Sequence, residues 1–164
     1  MKRTTRIALI LVTLLGCVGC DQVTKAVARE QLAPGTTISL LHDLVRLERY
    51  ENPGAFLSLG EDWPTGVRRA LFTAGGLLWV AGVLGWALRT RHARPTAILG
   101  AALVASGGLG NVIDRLAHAG RVTDFLNVGI DAIRTGIFNV ADMSLLLGLA
   151  LLIVGVRESG PREP

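Results

Sequence analysis

The chain has 164 residues, half of them hydrophobic and only 18% charged, with a mean hydropathy of +0.46. That length is about one domain, and a water-soluble domain this small could bury such an apolar surplus only by oligomerising. A net charge of +4 and a pI near 9.8 do not make it a nucleic-acid protein: the basic residues flank apolar blocks, no basic run is interleaved with aromatics, and there are only eight aromatics in all.

The first apolar block is Ile7–Cys20. Its 14 residues make a helix of roughly 21 Å, short of a hydrocarbon core of roughly 30 Å. The helix is therefore expected to continue through Asp21–Ala28, with Asp21 and Lys25 near the far interface. The basic segment Met1–Arg6 before an apolar run, followed by Leu14-Leu15-Gly16-Cys17, also fits a lipoprotein leader with its cleavage site. Three more spanning blocks argue for a retained helix instead. Cys17 and Cys20 share a helical face too closely for a good disulfide. They read as free thiols.

The outer stretch Glu30–Arg69 follows. Thr36–Leu41 and Leu44–Tyr50 read as strands of a small surface sheet, the second alternating apolar and polar residues. Asn52-Pro53-Gly54 reads as a turn. The remaining blocks are about Ala70–Leu88, Thr96–Ile113 and Ile137–Val156, near spanning length, with a second outer stretch at Leu116–Gly136. The expectation is one integral-membrane domain over residues 1–164, with helices at about 7–28, 70–88, 96–113 and 137–156. Basic residues crowd the short segments Lys2–Arg6, Arg89–Arg94 and the C-terminal tail. Both termini are thus expected in the cytoplasm, against the weaker signal of Arg68-Arg69.

Ionisable side chains at bilayer depth cost at least about 2.5–3.5 kcal/mol and carry a functional hypothesis by default. Asp142 lies within the last block, one to two turns deep by its rise, with Asn139 on the same helical face. Its bland alternative is a buried Asp bonded to a neighbouring helix. Asn111 and Asp114 close the third block. Asp114 is expected to pair with Arg115, and Asp21 with Lys25 at i, i+4. Asp124 and Asp142 are left without a basic neighbour in sequence. Two carboxylates sharing a site divide into one acid and one base, which is peptide-hydrolysis chemistry around a water. Rival nucleophiles are weak. There is no HExxH, the three histidines lie in loops, Ser106 has no histidine in a spanning block, and a Ser58–Lys25 dyad is the remaining option.

These residues resemble those of the lipoprotein signal peptidase (signal peptidase II) family. Asp21-Gln-Val-Thr-Lys25, Asn52-Pro-Gly-Ala55, Gly107-Gly-Leu-Gly-Asn-Val-Ile-Asp-Arg115, Val122-Thr-Asp-Phe125 and Phe138-Asn-Val-Ala-Asp142 follow its five motifs in order. The resemblance implies four transmembrane helices with a small periplasmic β-cradle in the bacterial inner membrane. It implies an aspartic endopeptidase with Asp124 and Asp142 as catalytic dyad, without metal or cofactor, cutting before the diacylglyceryl-modified cysteine of prolipoprotein signal peptides. Asn52, Gly54, Asn111, Asp114, Arg115 and Asn139 would hold or shape the substrate, with Asp21 and Lys25 as support. The expected partners are those precursors and membrane lipid, with the chain working as a monomer. One departure stands out: Phe56-Leu57-Ser58 follows Gly54-Ala55 where the family has Ala-Phe-Ser. It bears on the pocket around the signal peptide and on substrate range. An inert scaffold and a proton-relaying transporter remain as other classes.

Overall fold

The computed structural model describes residues 1–54, 60, 62–90 and 92–157. Among the described residues, four helical stretches are long and apolar enough to cross a membrane: Arg3–Gln31, Thr65–Arg89, Pro95–Ala117 and Val140–Arg157. The first is α1 (Arg3–Gln31). The second is continuous but composite, with α2 (Thr65–Arg68), a π-helical segment (Arg69–Gly75) and α3 (Gly76–Arg89). The third is α4 (Pro95–Ala117) and the fourth α5 (Val140–Arg157).

Helix limits depart from the apolar blocks where polar residues continue a helix. α1 extends at both ends, carrying Asp21, Lys25 and Arg29 inside it. The second span starts at Thr65, after Pro64 supplies the extended residue before the first turn. α5 starts later than the apolar pattern implies, because Phe138 is still extended and exchanges backbone hydrogen bonds with Leu126. Asp142 is consequently the third residue of its helix, not one to two turns deep.

α4 is the buried centre, with α1, α3 and α5 arranged against it. Small residues permit the closest approach. A Cβ added to Gly148 would lie 2.6 Å from the Val104 amide nitrogen, and one on Gly100 would lie 2.7 Å from the Gly148 carbonyl oxygen. Without a hydrophobic drive between helices in lipid, such backbone contact is what packing rests on.

The outer stretches form one antiparallel sheet in the order β1 (Thr37–Leu40), β2 (Val45–Asn52), β3 (Val122–Ile130) and β4 (Ile133–Arg134). The expected strands in the first stretch are present. β3 is an addition, and it carries Asp124 at the start of the longest strand. β2 and β3 pair through Leu47↔Leu126 and Tyr50↔Asp124, so β2 holds one extra residue beside Asp124. Such bulges re-aim side chains near functional sites. In the β1–β2 turn Leu41, His42 and Asp43 all have positive φ, near 52°, 54° and 69°. Arg46 offsets that strain by clasping Asp43 through two nitrogens, at 2.8 and 2.6 Å, and holds its carboxyl well below the usual range.

Candidate active site

Three elements converge at one end of the bundle. Asp124 comes from β3, Asp142 from the first turn of α5, and Asn111 from the last third of α4. All three are buried. Asn139, just before α5, joins the carboxylates. Its Nδ2 donates to Asp124 Oδ1 at 2.6 Å, while its Oδ1 accepts the Asp142 amide at 3.0 Å. Asp142 Oδ2 accepts the Asn139 amide in return, at 3.2 Å. That reciprocal pair is a capping box, and it fixes where α5 begins. A second amide reaches each carboxylate: Asn52 Nδ2 donates to Asp124 Oδ2 and Asn111 Nδ2 to Asp142 Oδ1, both at 2.9 Å.

Asn52 ends β2 and turns the chain, its Oδ1 accepting the Gly54 amide at 2.8 Å. Its amide therefore serves Asp124 in this arrangement. Burial pushes the Asp124 carboxyl up to about 7; the Asn52 bond opposes this and the nearby Asp142 charge adds to it. Among the described residues neither dyad candidate forms an ion pair, although Lys25 lies close enough to be felt by both.

Behind the carboxylates lies a charged cluster. Lys25 Nζ is fully buried, 2.9 Å from Asp21 Oδ2, 3.2 Å from Asp114 Oδ2 and 3.0 Å from Asn111 Oδ1. The expected Asp21–Lys25 pair forms, but inside the protein and not at an exposed helix exit. Asp21 Oδ1 also accepts the Ala141 amide at 2.9 Å, tying α1 to the start of α5. The expected Asp114–Arg115 pair does not form. Adjacent helical residues point about 100° apart, so Asp114 faces Lys25, Arg29 and the Thr123 amide. Arg115 points elsewhere, donating to the Gly54 carbonyl at 2.8 Å and lying over the Phe72 ring.

The sequence reading missed Arg29, Thr123 and Glu51. Arg29 donates to Thr123 Oγ1 at 2.9 Å, and Thr123 Oγ1 donates to Glu51 Oε2 at 3.2 Å. The signal available was helical spacing, since Arg29 continues the Asp21–Lys25 face by one turn. The Phe56-Leu57-Ser58 departure, and with it the Ser58–Lys25 alternative, lies outside the described residues. Ser106 is buried and donates to the Ala102 carbonyl one turn back. Cys17 and Cys20 are free thiols, Cys20 exposed on α1. No group of three or more His, Cys, Asp or Glu that could hold a metal ion occurs among the described residues.

The signal peptidase II family model matches residues 12–157. The chain belongs to the signal peptidase II family. A lipoprotein signal peptidase of Hydrogenovibrio crunogenus is 36% identical over 98% of this chain and 88% of its own length. Those of Gloeobacter violaceus and Brevibacillus brevis are 35% and 32% identical, covering 90% and 89% of this chain and 80% and 93% of their own. The fold also matches a bacterial membrane enzyme solved in meso at 2.3 Å, with a TM-score of 0.77 and 22% identity over 98% of this chain and 94% of that one. Membership of the signal peptidase II family, with four spanning helices, makes this a multi-pass membrane protease for prolipoprotein signal peptides.

Proposed function

We propose that the chain is an aspartic endopeptidase whose dyad is Asp124 and Asp142, and that it cleaves just before the diacylglyceryl-modified cysteine of a prolipoprotein. The observation that carries the reading is Asn139. One asparagine donates to both carboxylates, through its side-chain amide to Asp124 and its backbone N–H to Asp142, so two acids on different elements are held as one unit. Each is otherwise served by neutral amides, which orient a carboxylate without fixing its charge as a bonded cation would. That leaves the pair free to share a proton.

In the proposed reaction one carboxylate takes a proton from the attacking water while the protonated partner donates to the scissile carbonyl oxygen. The hydroxide oxygen bonds to the carbonyl carbon. As the tetrahedral centre collapses, the C–N bond breaks and a proton passes to the departing amine of the modified cysteine. Arg115, buttressed on Phe72 and holding the Gly54 carbonyl, forms the wall on which the signal peptide backbone would lie. Asp21, Lys25 and Asp114 support Asn111 and the start of α5 from behind. The short basic segments favour cytoplasmic termini, which sets the dyad end at the periplasmic face of the inner membrane. The proposed partners are lipid-modified precursors and the surrounding bilayer lipid, with the enzyme acting as a monomer.

The test is cleavage of a diacylglyceryl-modified precursor by purified protein, with mass spectrometry of the new N-terminus. Asp124→Asn and Asp142→Asn should each lower turnover by orders of magnitude at normal membrane levels. Their combination should be hardly worse than either, since residues acting as a unit are non-additive. Near-normal turnover by either single variant would refute the aspartyl mechanism, and an inert scaffold or a transporter would cleave nothing even as wild type.

A further inference from the structure

At the end of the bundle opposite the dyad, α3 and α5 both pack on α4 but barely meet each other. Between them lies a groove of about 670 Å³, lined by Leu78, Trp79, Val83 and Trp86 of α3 and Leu152 and Val156 of α5. Apolar exposure on a spanning helix is ordinary. A concave apolar trough that ends on a free cation is not. A second recess of about 450 Å³ shares Gly82 and Trp86 with the groove and is closed by Gly85, Arg89 and Thr90.

Arg89 decides the character of that end. Helical side chains lean toward the N-terminus, and the Arg89 guanidinium folds back until its Nη1 is 2.8 Å from where a Gly85 Cβ would sit. Glycine at 85 is what makes room for it. Arg89 is exposed, and its side chain has no hydrogen bond or ion pair among the described residues. Arg157, the last residue of α5, follows Val156 of the groove wall and is likewise exposed. The Trp86 indole stands beside the recess, half in and half out, as aromatic residues do at a membrane boundary.

We propose that this trough is a binding site for an anionic phospholipid, its acyl chains in the α3–α5 groove and its phosphate on the Arg89 guanidinium. A guanidinium fork matches phosphate oxygens with two parallel N–H bonds. Charge also decides against the obvious competitor, the apolar helix of a signal peptide. Signal peptides begin with a basic segment, and on the topology proposed above that segment would meet Arg89 and Arg157 with like sign. An anionic amphiphile meets them with the opposite sign. The site lies far from the chemistry: from Arg94 to Asn111 the helical rise is roughly 25 Å.

The test is native mass spectrometry of the full-length protein, stripped of lipid in mild detergent and titrated with phosphatidylglycerol or phosphatidylethanolamine of equal chain length. Wild type should retain phosphatidylglycerol at about tenfold lower concentration, because the ammonium of phosphatidylethanolamine competes with Arg89 for the phosphate and repels the guanidinium. Arg89→Gln should erase that preference and Arg89→Lys should restore much of it. Gly82→Leu should weaken both lipids by filling the groove; a Cβ there meets nothing within 4 Å, so the fold tolerates it. Equal retention of the two lipids by wild type, or an unchanged preference in Arg89→Gln, would overturn the proposal. So would a Gly82→Leu variant that keeps its lipid but shows a raised KM for the precursor, which would give the groove to the signal helix.

Discussion

Replacing Lys25 with Met isolates what the buried ammonium contributes. Methionine fills nearly the same space, so the change removes charge more than volume. Lys25 is fully buried and stands 2.9 Å from Asp21 and 3.2 Å from Asp114. Together with Arg29, 3.6 Å from Asp114, these four residues balance to zero charge. Without the ammonium Arg29 still faces Asp114, and the stranded group is Asp21, with amide donors but no cation. Removing one partner of a buried pair costs about 3–5 kcal/mol. For a chain of this size that is a fall in Tm of about 6–20 °C. Thermal unfolding in detergent, followed by tryptophan fluorescence, measures it. Adding Asp21→Asn to Lys25→Met should recover at least about 1 kcal/mol, because neutralising both partners removes the stranded charge. Lys25 touches neither dyad carboxylate, so the single variant should keep measurable turnover. A loss below about 1 kcal/mol, or two strictly additive substitutions, would refute this account of the cluster.

Three further outcomes follow from the structure. Asp124 titrates near 7 in the folded state against 3.8 in the free residue, so between those values the folded form holds the extra proton; its contribution to stability is fully present below about pH 4 and is lost as pH rises through 7, and Asp124→Asn should remove that part of the slope in Tm against pH. Gly148→Val sets a Cβ 2.6 Å from the Val104 amide; overpacking of this kind costs about 1–3 kcal/mol, so it should lower Tm and membrane yield, while the same change at Gly82, in open space, should leave both near wild type. Changing Cys17 and Cys20 together to Ser should leave precursor cleavage intact, and a mature N-terminus at Cys17 would instead make α1 a cleaved leader.

The polar residues of the site were legible because lipid makes them conspicuous. Asp142 and Asn111 interrupt apolar blocks, and few reasons exist for such residues in a spanning segment. Asp21 and Lys25 were paired correctly from their spacing alone. Their burial was not legible, because it depends on the Asp114 face of α4 and the start of α5 closing over them. The Asp114–Arg115 expectation failed for a related reason: neighbours in sequence diverge around a helix. β3 was hidden because Val122–Ile130 carries polar residues on both faces, with Thr123, Asp124 and Asn127 all buried. A strand polar on both faces has no simple alternation to read. The asparagine scaffold is the least legible part. That Asn52, Asn111 and Asn139 all deliver amides to the same two acids depends on three elements meeting, and no spacing encodes that.

The split of the proposed dyad between β3 and α5 has a bearing on synthesis. Asp124 leaves the ribosome before Asp142, and the helix that carries Asp142 follows the other three described spans. Until it docks, Asp124 lacks the Asn139 side-chain amide and Asp21 lacks the Ala141 amide that it accepts in the finished bundle. On the aspartyl reading, a product of translation that ends before Asp142, or whose α5 has not docked, is therefore chemically silent. A protease that shares its bilayer with many apolar helices becomes active only on the closing step of its own assembly.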